Sequence, residues 1–288
     1  MKVAHIILVH HQPIQLKRLL LRLEHANCKA FVHLDSKCNL KDFAFLETHS
    51  FVELISDRQN VTWGGFSIVK AIMASIKQII KSTMKYDYIN LISGQDYALK
   101  SSETFMSFLE DNPRKIFMEY HLPGHPWLEE AKKRFSHYHF TDFNFKGKTR
   151  LEKVINFFFR PQKMPADFVF IGHSGWFTLD WESAVYVVDY FANNKSVIWK
   201  FKWSWGADEI LIQSILYNSP YQYKLVNNNL RYIDWSEGKV SPKILTMADQ
   251  PKLMTTDCFF GRKFDINVDE SILNYIDQAI HNEANDKL

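Results

Sequence analysis

The chain of 288 residues is 46% hydrophobic and 23% charged, proportions that are ordinary for a soluble globular protein. Its formal net charge of +3 is too small for a dedicated nucleic-acid binder, so we expect no nucleic-acid partner. The three cysteines are odd in number and lack CxxC spacing, which argues against a disulfide framework and against a zinc site.

The first 35 residues predict a strand, a helix and a second strand. The apolar run at 3–9 is typical of a buried parallel strand, and Leu16, Leu19, Leu20 and Leu23 share one helix face. The second strand ends on Asp35. This order predicts a βαβ unit. The loop HHQPIQ between strand and helix has no glycine, which excludes a dinucleotide-type phosphate cradle there.

The next segments continue the alternation of strands and helices. A short strand is predicted at 51–56, a helix from about Ser67 to Ser82, and a central strand at 86–93. Asp96 follows at the carboxyl end of that strand, which is where open α/β sheets bind their ligands. Ser101 or Ser102 then caps a further helix.

The second half of the chain is less regular. The pattern predicts a helix followed by a proline-bearing loop within 148–168, and a strand, a Gly/Ser turn and a second strand within 168–180. Asp208 and Glu209 are predicted in the first turn of the next helix. We expect a single α/β domain over 1–288, with one half at 1–112 and the other at 113–288.

The apolar start of the chain is too short for the core of a signal peptide, because polar residues interrupt it after Val9. No apolar stretch of 18 residues, the length that suggests a membrane span, occurs elsewhere. We expect a cytoplasmic protein, either free or loosely associated with the inner face of the membrane.

Sugar transfer from a nucleotide sugar makes two chemical demands. A carboxylate must take the proton of the acceptor hydroxyl, and the charge of the departing diphosphate must be stabilised. Many such enzymes meet the second demand with a divalent metal held by an Asp-x-Asp pair, and no two aspartates of this chain are two residues apart. Arg and Lys side chains would have to serve instead.

Seven segments, taken in order, resemble the core-2/I-branching β-1,6-N-acetylglucosaminyltransferase and peptide O-xylosyltransferase family. They are FVHLDSK (31–37), VTWGGFS (61–67), YDYINLISGQDYALKS (86–101), GHSGWF (172–177), WSWGADEILIQSIL (203–216), LRYIDW (230–235) and FFGRKFD (259–265). The resemblance implies a GT-A type fold with a mostly parallel central sheet flanked by helices. It also implies inversion at the anomeric carbon, a UDP-sugar donor and no required metal or other cofactor.

The position matching the catalytic base of the family is Glu209. Taken alone, Glu209 is an acidic first-turn residue of the kind that a helix dipole stabilises. Its neighbour Asp208 is grouped with the substrate-binding residues, with helix capping as the alternative.

The resemblance also assigns residues to the two substrates. Arg231 and Lys263 match the diphosphate-binding positions, with Arg262 as a supplement. Donor contacts are expected from Asp35, His33 and Asp96, although both aspartates also fit turn-forming roles. Acceptor contacts are expected from Trp176, Glu119 and Arg134. The match is loose at the last two because their spacing is longer here, and Gly175 replaces an Asp of the xylosyltransferase branch, which puts peptide-serine recognition in doubt.

The sequence therefore predicts an inverting, metal-independent transferase that moves GlcNAc or xylose from a UDP-sugar to a glycan or peptide-glycan acceptor. The expected setting is surface-polysaccharide synthesis of a bacterial type. One alternative is a non-catalytic carbohydrate-binding protein, which would explain an aromatic content of 15% if these side chains bind sugar rather than fill the core. Another is a metal-dependent transferase of a different family.

Overall fold

A computed structural model describes residues 1–159 and 167–285 of the chain. The proline-bearing part of the loop predicted after 158, at 160–166, lies outside the described residues. The strands are β1 (Val3–Val9), β2 (Cys28–Leu34), β3 (Val52–Leu54), β4 (Tyr88–Ser93), β5 (Asp96–Ala98), β6 (Ile116–His121), β7 (Gly172–Asp180), β8 (Leu225–Asn227), β9 (Arg231–Ile233) and β10 (Phe260–Arg262). The α-helices are α1 (Pro13–Leu23), α2 (Phe66–Lys81), α3 (Ser102–Asp111), α4 (Pro126–Ser136), α5 (Lys148–Phe158), α6 (Trp181–Asn193), α7 (Lys195–Phe201), α8 (Leu211–Tyr217), α9 (Gln250–Thr255) and α10 (Glu270–Asn285).

The chain forms two compact units that alternate along the sequence. The first unit contains residues 1–54, 90–113 and those from 230 onward, and the second contains residues 55–89 and 114–229. The single domain with halves meeting at 112/113 stays a prediction, since the units follow spatial compactness rather than chain order.

The first unit is built on the predicted βαβ opening. Its strands are ordered β3-β2-β1-β4, and β1 runs parallel to β2 with Val3 opposite Cys28 and Val9 opposite Leu34. Pro13 sits in the first turn of α1, where its missing N–H costs no hydrogen bond. The leucines of α1 at 16, 19, 20 and 23 are buried as their shared face predicts.

A second, three-stranded sheet of the first unit collects several predicted site residues. Its order is β5-β10-β9, with β10 antiparallel to β5 and parallel to β9. The register places Arg262 opposite Asp96, and Phe260 opposite Arg231. Segments far apart in sequence are therefore joined by backbone hydrogen bonds.

The second unit contains the strand order β7-β6-β8, in which β6 is antiparallel to β7 and parallel to β8. The prediction of a strand, a turn and a second strand within 168–180 is wrong, because Gly172–Asp180 forms one continuous strand. The pairing register of β6 with β7 shifts between Met118 and Tyr120, which are opposite Phe177 and His173, so the Gly/Ser segment forms an irregularity within the strand.

The prediction for Asp208 and Glu209 also needs correction. They lie in a short 3₁₀ helix, Ala207–Glu209, and Ile210 (φ −134°, ψ −41°) separates this turn from α8. Gly206 precedes the turn at φ +68°, a left-handed conformation that favours glycine. Glu209 is thus held before the helix rather than within its first turn.

The observed architecture confirms the α/β class, with mostly parallel pairing and helices packed on the strands. Helix α1 contacts β2 and β5 in the first unit, and α6 contacts β7 in the second. Among the helices of residues 1–159 and 167–285, none has both the length and the apolar character needed to cross a membrane.

Candidate active site

Glu209 lies in a turn whose backbone is fixed by two separate segments of the second unit. The N–H of Gly206 donates to the carbonyl of Gly64 at 2.8 Å, and the N–H of Trp205 donates to the carbonyl of Arg134 at 3.0 Å. The side chain of Glu209 remains about one-third exposed, at 33%. A carboxylate in this position is rigidly placed and still open to a substrate.

The glycines of β7 allow this turn to lie directly against the strand. A Cβ on Gly172 would stand 2.3 Å from the carbonyl oxygen of Glu209, closer than real Cβ contacts come. A Cβ on Gly175 would stand 3.1 Å from Oδ2 of Asp208. The glycines that suggested a turn in the sequence instead permit close approach by the segment that carries both acids.

Arg134 of α4 binds Glu209 directly. Its Nη1 donates to Oε2 of Glu209 at 2.9 Å. The guanidinium carbon lies 4.6 Å from the ring centroid of Trp205 and 5.3 Å from that of Trp127. Two indole faces therefore hold the cation that orients the carboxylate, a contact that Arg makes well because its charge is planar and weakly hydrated.

The electrostatic surroundings raise the pKa of Glu209 to about 7. Burial is the largest cause and the neighbouring Asp208 carboxylate acts in the same direction, while Arg134 and His173 oppose them. Burial likewise raises the pKa of Asp208. A carboxylate with a pKa near neutrality is a stronger proton acceptor than an ordinary one and is still ionised in a useful fraction of molecules.

Glu119 belongs to the same unit and faces a cluster of rings. Its Oε2 accepts from Nδ2 of Asn229 at 2.8 Å, and its Oε1 lies 3.3 Å from Nδ1 of His173. The neighbouring His173 imidazole lowers the pKa of Glu119. The rings of Trp127 and His121 lie 5.3 and 4.3 Å from that of His173. Glu119 is therefore a carboxylate with a lowered pKa that lies beside a cluster of aromatic and imidazole rings.

The sequence interpretation missed three members of this arrangement, Trp127, Trp205 and His173. Trp205 lies within one of the seven segments, and Trp127 ends the stretch HLPGHPW (121–127) at the start of α4, so counting aromatic residues by segment would have drawn attention to both. Trp176 is partly buried on β7, and its backbone N–H donates to Oγ of Ser174 at 3.5 Å. Its acceptor role stays a prediction.

In the first unit, Asp35 is buried at the end of β2, where its own backbone N–H donates to the carbonyl of Val9. Its Oδ1 accepts from the N–H of Lys37 at 2.9 Å, and the Lys37 ammonium lies 3.5 Å from Oδ2. His33 is buried within β2. The turn-forming role of Asp35 is thus present, and nucleotide contacts by Asp35 and His33 stay predictions.

Asp96, which is buried, pairs across β5 and β10 with Arg262, which is partly exposed. Oδ1 of Asp96 accepts from Nη1 of Arg262 at 2.7 Å, and its Oδ2 accepts from the N–H of Ser93 at 2.6 Å. The same Nη1 also lies 2.7 Å from Oγ of Ser93. Asp96 therefore positions Arg262, and the carboxylate is largely committed to that task.

Arg231 is buried beside β4, whereas an isolated arginine on a short strand would normally be exposed. Its Nη2 donates to Oδ1 of Asn90 and, at 2.8 Å, to the carbonyl of Leu91. Burial lowers the pKa of Arg231, and the Asp96 carboxylate opposes that effect. These contacts give Arg231 a structural role, and its contact with a diphosphate stays a prediction.

Lys263 is half-buried directly after β10. Within the part of the chain that the structure describes, its ammonium forms no hydrogen bond or ion pair. Burial and the nearby Arg262 lower its pKa, while Asp265 opposes them. His10 interacts electrostatically with Lys263, Arg262 and Asp35, so all three side chains lie near the same histidine. A lysine without a carboxylate partner beside an arginine is suited to an anionic ligand.

No group of three or more His, Cys, Asp or Glu side chains is arranged for a metal ion within 1–159 and 167–285. The predicted independence of metal is a statement about the reaction and stays a prediction.

Comparison with known proteins places these sites in a family context. A family model described as "Core-2/I-Branching enzyme" matches residues 3–258. Xylosyltransferase 2 of Rattus norvegicus is 25% identical over 300 residues, which cover 96% of this chain and 33% of that protein. Xylosyltransferase of Ciona intestinalis is 20% identical over 305 residues, which cover 98% and 34%. The chain thus spans about a third of the length of the curated relatives it matches.

Among solved structures, apo mouse xyloside xylosyltransferase 1 overlaps 90% of this chain and 97% of its own, at 11% identity and a TM-score of 0.41.

Proposed function

This chain belongs to the Core-2/I-Branching enzyme family, a glycosyltransferase family, and from that premise we propose that it transfers a sugar from a UDP-sugar with inversion and without a metal. The GT-A designation of the α/β fold follows from the family. The observation that carries the proposal is Glu209, a partly exposed carboxylate with a raised pKa that Arg134 holds in place.

In the proposed reaction, Glu209 takes the proton from the acceptor hydroxyl as its oxygen attacks the anomeric carbon. The bond from that carbon to the diphosphate oxygen breaks, and UDP leaves from the opposite face, which inverts the anomeric configuration. The departing diphosphate gains negative charge, which Lys263 neutralises with Arg262 and Arg231 as further cations of the first unit. Asp96 serves by holding Arg262.

Two substrates are proposed. The donor is UDP-GlcNAc or UDP-xylose, and the names of the xylosyltransferase relatives favour xylose. The acceptor is a glycan or a peptide-glycan, for which the rings near Glu119 offer stacking surfaces, since sugar C–H faces pack on aromatic rings. Surface-polysaccharide synthesis at the inner face of the membrane is the proposed setting.

The proposal is tested by measuring UDP release from UDP-xylose and UDP-GlcNAc with the purified chain, with and without excess chelator. We expect release from one donor, at the same rate in both conditions. Loss of activity in chelator that manganese restores would contradict the metal-independent reaction. Glycan binding without any stabilisation by UDP in a thermal-shift assay would instead identify a carbohydrate-binding protein, because a ligand of the folded state raises its melting temperature.

A further inference from the structure

Helix α5 of the second unit exposes an apolar face to solvent. None of its residues is buried. Phe157 is 82% exposed and Phe158 is 75% exposed, and the exposed set continues through Leu151, Val154 and Phe159. Leu151, Val154, Phe157 and Phe158 lie on the same side of the helix, because they are spaced three, four and seven residues along it. Phe159 follows directly after the helix, and these exposed side chains are here called the α5 face.

The helix is turned the opposite way from an ordinary surface helix. Two of its polar residues face the protein. Oε1 of Glu152 accepts from the N–H of Phe140 at 2.7 Å. Asn156 accepts from the N–H of Tyr138 at 2.8 Å and donates to the carbonyl of the same residue at 2.9 Å. Surface helices normally bury their apolar side and expose their polar side. The inverted orientation leaves the apolar side available for a surface outside the chain.

Positive charge surrounds the α5 face. Lys146, Lys148, Arg150 and Lys153 lie within or just before the helix, and none of them pairs with a carboxylate among the described residues. Glu152, the one acid of the helix, is directed inward by its bond to Phe140. The outward surface therefore combines aromatic and aliphatic side chains with uncompensated cations.

We propose that the α5 face docks on an anionic membrane surface, with its aromatic side chains in the headgroup region and its cations on the lipid phosphates. Helices that lie in the plane of a bilayer show this combination of aromatic and aliphatic side chains with flanking Lys and Arg. A protein partner fits less well, because the centres of protein interfaces are depleted in Lys. The proposal concerns attachment and is independent of the reaction proposed for Glu209.

The test is flotation of the full chain with vesicles of phosphatidylcholine alone and of phosphatidylcholine mixed with phosphatidylglycerol. We expect binding to the anionic vesicles that weakens with added salt. The variant F157S/F158S should bind at least about tenfold more weakly, since two exposed aromatic rings are removed. The affinity of the variant R150E/K153E for the anionic vesicles should fall about fivefold or more for each cation removed.

Two matched controls keep the result specific. Tyr223 is 77% exposed elsewhere in the second unit, so Tyr223→Ser removes an exposed ring outside the α5 face. K70E/K77E makes the same change of net charge on exposed positions of α2. Both should bind anionic vesicles as the unaltered chain does.

Equal binding by F157S/F158S and the unaltered chain, or no binding to either vesicle, would overturn the proposal. A dimer in sedimentation velocity that F157S/F158S abolishes, without vesicle binding, would assign the α5 face to a second copy and also overturn it.

Discussion

Glu209 must satisfy two opposing requirements, since it has to be ionised to accept a proton and basic enough to take one. Burial and Asp208 raise its pKa, while Arg134 and His173 lower it. Asp208 and Arg134 therefore act as positioning residues whose charges set the fraction of Glu209 that is ionised at neutral pH.

These opposite influences predict opposite shifts in the pH dependence of kcat/KM. Asp208→Asn removes a negative neighbour, lowers the pKa of Glu209 and should move the ascending limb to lower pH by about one unit. Arg134→Met removes the stabilising cation and should move the limb to higher pH by a similar amount.

The measurement is a pH series of UDP release at low donor concentration. Glu130→Gln, an exposed acid of α4, is the control and should leave the limb in place. If the ascending limb moved in the same direction in both variants, electrostatic control of Glu209 would be refuted, because the two substitutions change the charge beside Glu209 in opposite senses. A general loss of structure would lower the rate in both variants and would not move their limbs apart.

At the scale of elements, the packing of the Ala207–Glu209 turn against β7 depends on missing side chains. Gly172 faces a backbone oxygen that cannot rotate away, whereas Gly175 faces the end of a side chain that can move. The two glycines therefore differ in how much a methyl group disturbs the site.

Gly172→Ala should lower the free energy of unfolding by about 1–3 kcal/mol, as overpacking of a close contact does. It should also reduce kcat by about a hundredfold, since displacing a catalytic group by about 1 Å has that effect. Gly175→Ala should have smaller effects on both quantities. Denaturant unfolding with Gly94→Ala for comparison checks the stability order, because its new methyl would meet Val9 at an ordinary 3.5 Å. Equal stability of Gly172→Ala and Gly94→Ala would contradict the close-packing explanation.

The elements also show where sequence patterns are informative. The apolar run of β1 and the leucine face of α1 predict their structures, because burial of such patterns leaves few alternatives. The Gly/Ser segment of β7 led to a wrong prediction, because glycine is common both in turns and where two backbones approach closely. Only the contact of Gly172 with Glu209, seen in the fold, shows that the second explanation applies.

At the scale of the whole molecule, two site residues of the first unit are brought together by a strand pairing that no local pattern contains. Asp96 and Arg262 are 166 positions apart and meet through the register of β5 and β10. Motif order could propose Glu209, Lys263 and Asp96, because the family resemblance carries those positions. It could not show that Arg231 is buried against β4 or that Arg134 lies between Trp127 and Trp205, since both depend on tertiary packing.

The central claim is that Glu209 is the base of a sugar transfer, and the most direct measurement is kcat for UDP release by Glu209→Gln. The isosteric amide keeps the side-chain shape and removes the proton acceptor. We predict a fall of about 10²–10⁴-fold with UDP binding retained, while Glu130→Gln stays at the unaltered rate. A Glu209→Gln protein that keeps most of the original kcat would contradict the claim.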